Sequence, residues 1–108
     1  MIRVTTISAL LCLVQLLWAQ TVWAETFEVI IEGYQFKPQQ LHIKVGDTVR
    51  WVNQEKRQYH SVWFEKLGEL QPDYFFPGEV FQRDFETKGV FPYRCGPHQK
   101  MTGVVHVE

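Results

Sequence analysis

Past residue 24 the apolar residues of this chain recur at every second position, in short runs cut off by glycine, proline or polar residues. Phe27, Val29 and Ile31 alternate with Glu28, Ile30 and Glu32, and Gly33 ends the run. Leu41, Ile43 and Val45 alternate with His42 and Lys44, Gly46-Asp47 turns the chain, and Val49 and Trp51 then oppose Thr48 and Arg50. Phe81 with Phe85, then Phe91, Tyr93 and Cys95, then Gly103, Val105 and Val107 continue the pattern. A period of two places alternate side chains on opposite faces of an extended strand, with one face to bury. Phe36-Lys37-Pro38 reads as an edge strand or turn, because proline cannot donate to a ladder, and His60 to Phe64 reads as a further strand. Only Phe64 to Leu70 offers a short helical pattern. Leu67, Leu70, Tyr74, Phe75 and Phe76 read as a flap packed over the sheet edge. About seven to eight short strands and no long helix predict an all-β sandwich closed on one apolar core.

The first 24 residues stand apart. Arg3 is the only charge before Glu25, Ile7 to Leu17 is mostly apolar, and Val22-Trp23-Ala24 ends in a small residue. That order reads as a secretory leader over 1–24, with one domain over 25–108. The expected location is therefore the periplasm, with no stable membrane association after cleavage. Cys12 lies in the leader, so Cys95 is the only cysteine of the domain and no internal disulfide is available to it. A lone cysteine in an exported chain needs a role, and metal ligation is one. The 11 basic and 12 acidic residues nearly cancel. No basic run is longer than Lys56-Arg57, which argues against nucleic acid.

The stretch Cys95-Gly96-Pro97-His98-Gln99-Lys100-Met101 sets a thiol, an imidazole and a thioether at positions i, i+3 and i+6. Thiolate and thioether select soft ions and imidazole suits copper; a Cys, two His and a weak axial Met make an electron-transfer copper site. The second histidine must come from elsewhere. His42 and His106 each sit between inward-facing residues, so both face solvent. His60 opens a strand-like run straight after the polar loop Asn53 to Gln58, and Cys95 closes one. Both lie at strand ends, and His60, Cys95, His98 and Met101 converge if the two ends coincide. Taken singly, each has an ordinary reading: a loop histidine, a small buried hydrophobe, a core filler.

The combination resembles the cupredoxins, the small type 1 blue copper proteins. Phe36-Lys37-Pro38, Val45-Gly46-Asp47-Thr48-Val49-Arg50-Trp51-Val52-Asn53, His60-Ser61-Val62 and Gly89 through Tyr93 to Met101 carry the likeness. The short C-x-x-H-x-x-M loop is similar to the amicyanin kind rather than to the longer loops of plastocyanin or pseudoazurin. The resemblance implies a Greek-key sandwich and one copper ion held by His60, Cys95, His98 and axial Met101. It also implies a backbone hydrogen bond from Ser61 to the Cys95 sulfur, with no second one from Pro97, which lacks the N–H. Electrons are expected to enter at the exposed edge of His98, within a face made of Gly96, Pro97, Gln99 and the Gly33-Tyr34 loop.

The expected function is a monomeric carrier of single electrons between redox proteins, a cytochrome or a periplasmic dehydrogenase or reductase. Lys56, Arg57, Arg94 and Lys100 near the ligands favour an acidic partner surface. The alternative is a copper-storing or copper-delivering protein, for which further open Met or His ligands are expected; Met101 is the only methionine after Met1. An enzyme is not expected. A binuclear copper centre needs a second thiolate, a multicopper oxidase needs more histidines, and a Cys–His hydrolase needs an orienting third group and a pocket.

Overall fold

The computed structural model describes residues 23–108. The leader expected over 1–24 therefore lies almost entirely outside the described residues. Seven strands form: β1 (Thr26–Glu32), β2 (Gln35–Lys37), β3 (Gln40–Ile43), β4 (Thr48–Asn53), β5 (Val80–Asp84), β6 (Gly89–Arg94) and β7 (Thr102–Val107). One sheet has the order β2-β1-β4-β5 and the other β3-β7-β6. The chain crosses from the first sheet to the second after β2, returns for β4 and β5, and crosses again for β6 and β7. The parallel neighbours, β1 with β4 and β3 with β7, come from these crossings.

The alternating residues do what their spacing requires. Val29, Ile31, Val49, Trp51 and Val105 are fully buried, and Ile43, Tyr93 and Val107 nearly so. Trp51 sits at the centre, with its ring centroid 5.4 Å from that of Tyr93, 5.6 Å from Phe81 and 6.2 Å from Phe64. Gly103 is small for a reason: a Cβ there would run into the Tyr93 ring.

Four expectations change. Val45 is exposed, because β3 ends at Ile43 and residues 44–47 form a turn in which the Asp47 carboxylate takes the Lys44 N–H. His60 to Phe64 is not a strand. Its backbone serves two partners in turn, pairing at His60 with Phe75 and at Trp63 with Arg94, so it cannot run along either sheet. The helical segment shrinks to a 3-10 turn over Glu65–Leu67, ended by left-handed Gly68. Of the flap, only Phe75 is inside, while Leu67, Leu70, Tyr74 and Phe76 are exposed. Polar ties hold this segment instead. Arg83 on β5 makes two hydrogen bonds to Glu69, at 2.7 and 2.9 Å, and lies 4.4 Å over the Phe64 ring.

Candidate metal centre

His60 and Cys95 do meet, although only Cys95 follows a strand. β6 delivers Cys95 at the end of the sandwich where β4 finishes at Asn53, and the segment after β4 brings His60 back to it. Asn53 is the hinge of that return. It is 1% exposed; its Nδ2 donates to the carbonyls of Gln58 (2.9 Å) and Phe75 (3.1 Å), and its Oδ1 accepts from the Glu55 N–H (2.9 Å). This polar loop is thus anchored by a buried side chain at its first residue.

Cys95, His60 and Ser61 are wholly buried and His98 half-buried. Cys95 Sγ lies 3.5 Å from His60 Nδ1 and 3.5 Å from His98 Nδ1, and the two nitrogens are 3.2 Å apart. The centre of such a triangle is about 2.0 Å from each corner, close to the 2.0–2.3 Å that metal–nitrogen and metal–thiolate bonds of a first-row ion require. The tautomer agrees. His60 Nε2 faces a Glu55 carboxylate oxygen at 3.2 Å, which places the ring proton on Nε2 and leaves the Nδ1 lone pair aimed at the centre. Among the described residues this is the one group of three such side chains able to hold a metal ion. Met101 is buried beside it, and the loop that carries it is closed by two backbone bonds, Cys95 N–H to the Met101 carbonyl at 2.9 Å and Met101 N–H to the His98 carbonyl at 3.0 Å.

The second layer is largely invisible to sequence patterns. The Ser61 N–H donates to Cys95 Sγ at 3.4 Å, and Ser61 Oγ accepts the Gly96 N–H at 2.8 Å, pinning both sides of the cysteine. Burial pushes the Cys95 thiol up, while the amides of Ser61 and His98 and the Arg94 charge pull it back. Burial pushes His60 below the ordinary imidazole range against the opposing pull of Glu55, so it stays neutral and free to ligate. Glu55 itself is pushed up by burial, but the Tyr34 and Gly33 amides and His60 together hold its carboxyl below the ordinary range. The Tyr34 N–H donates to the same Glu55 oxygen at 2.7 Å, and Tyr34 takes a left-handed backbone (φ 59°) to do so. Its ring stands edge-on to His98 (4.9 Å) and to His60 (5.7 Å). No spacing rule marks Glu55. Gly33 is legible as a strand end, and the place of the Gly33-Tyr34 turn beside His98 follows only from the family resemblance.

His42 is exposed as expected, whereas His106 is only partly so, with its Nε2 buried; the two rings stack across β3 and β7 with centroids 4.4 Å apart, away from the cluster in the fold. Arg94 is committed elsewhere. It lies 4.7 Å over Trp63 and 2.8 Å from the Glu65 carboxylate, so it does not belong to a free basic rim.

Comparison with known proteins agrees with this geometry. Residues 25–108 match the family described as copper binding proteins, plastocyanin/azurin family. Amicyanin from Paracoccus denitrificans is 37% identical over 84 residues, 74% of this chain and 63% of that protein. Amicyanin from Paracoccus versutus is 38% identical over 96 residues, 83% of this chain and 70% of that protein. Plastocyanin from Scenedesmus fuscus is 33% identical over 84 residues, 68% of this chain and 86% of that protein. The match thus spans somewhat under two thirds of the first amicyanin's length. The solved structure of an amicyanin mutant in its reduced state superposes with a TM-score of 0.71 at 33% identity, over 77% of this chain and 82% of that one. An oxidised amicyanin mutant gives 0.71 at 35% identity, over 76% and 81%. With the sandwich, the Cys-His-His triangle and the short Met loop in place, the chain belongs to the copper-binding plastocyanin/azurin family, as a cupredoxin of amicyanin type.

Proposed function

We propose that this protein carries single electrons between periplasmic redox partners, and that His60, Cys95, His98 and Met101 would hold its copper ion. Bound there, copper would supply a one-electron redox change. The protein's part is to hold one ligand set through both states. His60 is fixed by Glu55, Cys95 by Ser61, and the 95–101 loop by its own backbone bonds. No proton has to move, so the site needs no general acid or base.

The observation that carries this reading is the asymmetry of the two imidazoles. His60 is wholly buried, whereas His98 is half-buried and lies beside exposed Tyr34, with exposed Lys100 close by. One edge of the ligand set therefore reaches the surface, which is what tunnelling to a docked partner requires and storage does not. Lys56, Arg57 and Lys100 are exposed near Tyr34 and favour an acidic partner surface through salt-sensitive steering. Titration of the apoprotein with Cu(II), followed by visible absorption and EPR, tests the centre. An intense blue charge-transfer band with a narrow copper hyperfine splitting, lost in Cys95→Ser, is expected. A pale spectrum with wide splitting means nitrogen and oxygen ligands only and defeats the assignment. Electron transfer to acidic cytochromes that slows as salt is added then separates a carrier from a storage protein.

A further inference from the structure

The end of the sandwich opposite the metal centre carries a buried carboxylate whose geometry suits a charged group. Asp47, at the turn before β4, is 4% exposed. One oxygen accepts the Lys44 N–H at 2.8 Å, which closes its own turn. The other accepts the backbone nitrogen of Glu25 at 2.9 Å, across 22 residues of sequence. Glu25 is fixed on its other side as well, because its carbonyl accepts the Thr48 N–H at 2.9 Å. One residue earlier the chain has left the fold: Ala24 is exposed and Trp23 is 81% exposed. Residues 22–24 are the Val-Trp-Ala whose small final residue suits a leader peptidase. The accessible bond and the buried acceptor are therefore adjacent.

We propose that Asp47 is the receptor for the α-ammonium group created when a leader peptidase cuts between Ala24 and Glu25. Water supplies hydroxyl to the Ala24 carbonyl carbon and a proton to the Glu25 nitrogen. The new carboxyl group releases its proton, and the new amine takes one up. A neutral amide donor at 2.9 Å thus becomes a cation against a buried carboxylate, and opposite charges at hydrogen-bond distance favour each other's charged form. Processing then does more than release the protein from its leader. It locks β1 beside β4 and tightens the fold once the chain has been exported. The cut lies a full strand length from the ligand cluster, so it leaves the electron-transfer face untouched.

The test uses the full chain, exported in a bacterial host and recovered with copper bound. Intact mass is expected to begin at Glu25. Acylation of the native protein at pH 8 should label the α-amine about tenfold more slowly than an unpaired N-terminus, since an opposite charge at this range favours the protonated form by at least one pKa unit. Asp47→Asn should restore ordinary labelling. A second variant, with one alanine inserted after Ala24, keeps Asp47 but moves the new amine out of reach, and it too should label at the ordinary rate. It remains informative if Asp47→Asn does not fold. An N-terminus other than Glu25, or equal labelling of the parent and the insertion variant, overturns the proposal.

Discussion

Replacing Asn53 with alanine isolates the residue that brings the separate parts of the site together. The side chain makes three hydrogen bonds, two from Nδ2 and one to Oδ1. The Phe75 carbonyl keeps a second donor in the His60 N–H, so its loss is partial. The Glu55 N–H and the Gln58 carbonyl lose the partner that Asn53 gives them. At about 1 kcal/mol per bond, with something added for a group left dry, the cost is about 3–4 kcal/mol. For a domain of this size that lowers Tm by about 12–30 °C. Glu55 and His60 hang from the same loop, so copper affinity should fall at least about tenfold, the usual scale for partners that orient a ligand. Urea unfolding of the apoprotein gives the first quantity and competition with a copper chelator the second. An apoprotein within about 1 kcal/mol of the parent, with copper retained, shows that water replaces the amide and that the buried hinge is not what closes the site.

Acid should weaken the apoprotein in two stages. His60 is held neutral by burial, so its contribution is complete above its unfolded value of about 6.5 and is lost as pH falls through the lowered folded value; Glu55 does the same below about 4.3. Urea midpoints that stay flat between pH 7.5 and 4 contradict this, and Glu55→Gln should erase the lower stage. Ser61→Ala keeps the amide on the Cys95 sulfur but strands the Gly96 N–H. It should cost about 1–2 kcal/mol and speed copper release, which stopped-flow chelation measures; an unchanged off-rate refutes the clamp. Gly103→Ala pushes a methyl into the Tyr93 ring. It should cost about 1–3 kcal/mol of overpacking, and a variant as stable as the parent in thermal melts shows that the ring moves freely.

The strands that sequence reveals are those that do one thing. β1, β4 and β7 each bury one face along their whole length, so Val29, Trp51 and Val105 follow the period of two. His60 to Phe64 misleads because it is extended and apolar yet bonded to a flap at one end and to β6 at the other. Alternation reports which way a side chain points, not which backbone it meets. The same limit applies to the site. The Cys95-His98-Met101 spacing is local and legible, and the outward placement of His42 and His106 follows from their strands. The arrival of His60 beside Cys95 depends on how the long connection from β4 to β5 folds back to pair with Phe75 and with Arg94 of β6, which no window of sequence contains. Asn53 and Glu55 are harder still, since polar residues in a polar loop carry no sign that they turn inward.

What separates the two histidines of the proposed copper site is their neighbours rather than their chemistry. His60 has Glu55 behind it and no exposed atom, so its orientation is set whether or not a metal is present. His98 has a tyrosine edge and solvent behind it, and its position depends on a loop closed by backbone bonds of its own. Tyr34 ties the two together, because the N–H that orients Glu55 and the ring that borders His98 belong to one residue. Its left-handed backbone is the conformation that lets both contacts form at once. A side chain without a ring at this position would keep the Glu55 bond and free one side of His98. The buried half of the site is therefore built for constancy and the exposed half for access, and the turn at Gly33-Tyr34 is where the fold joins them.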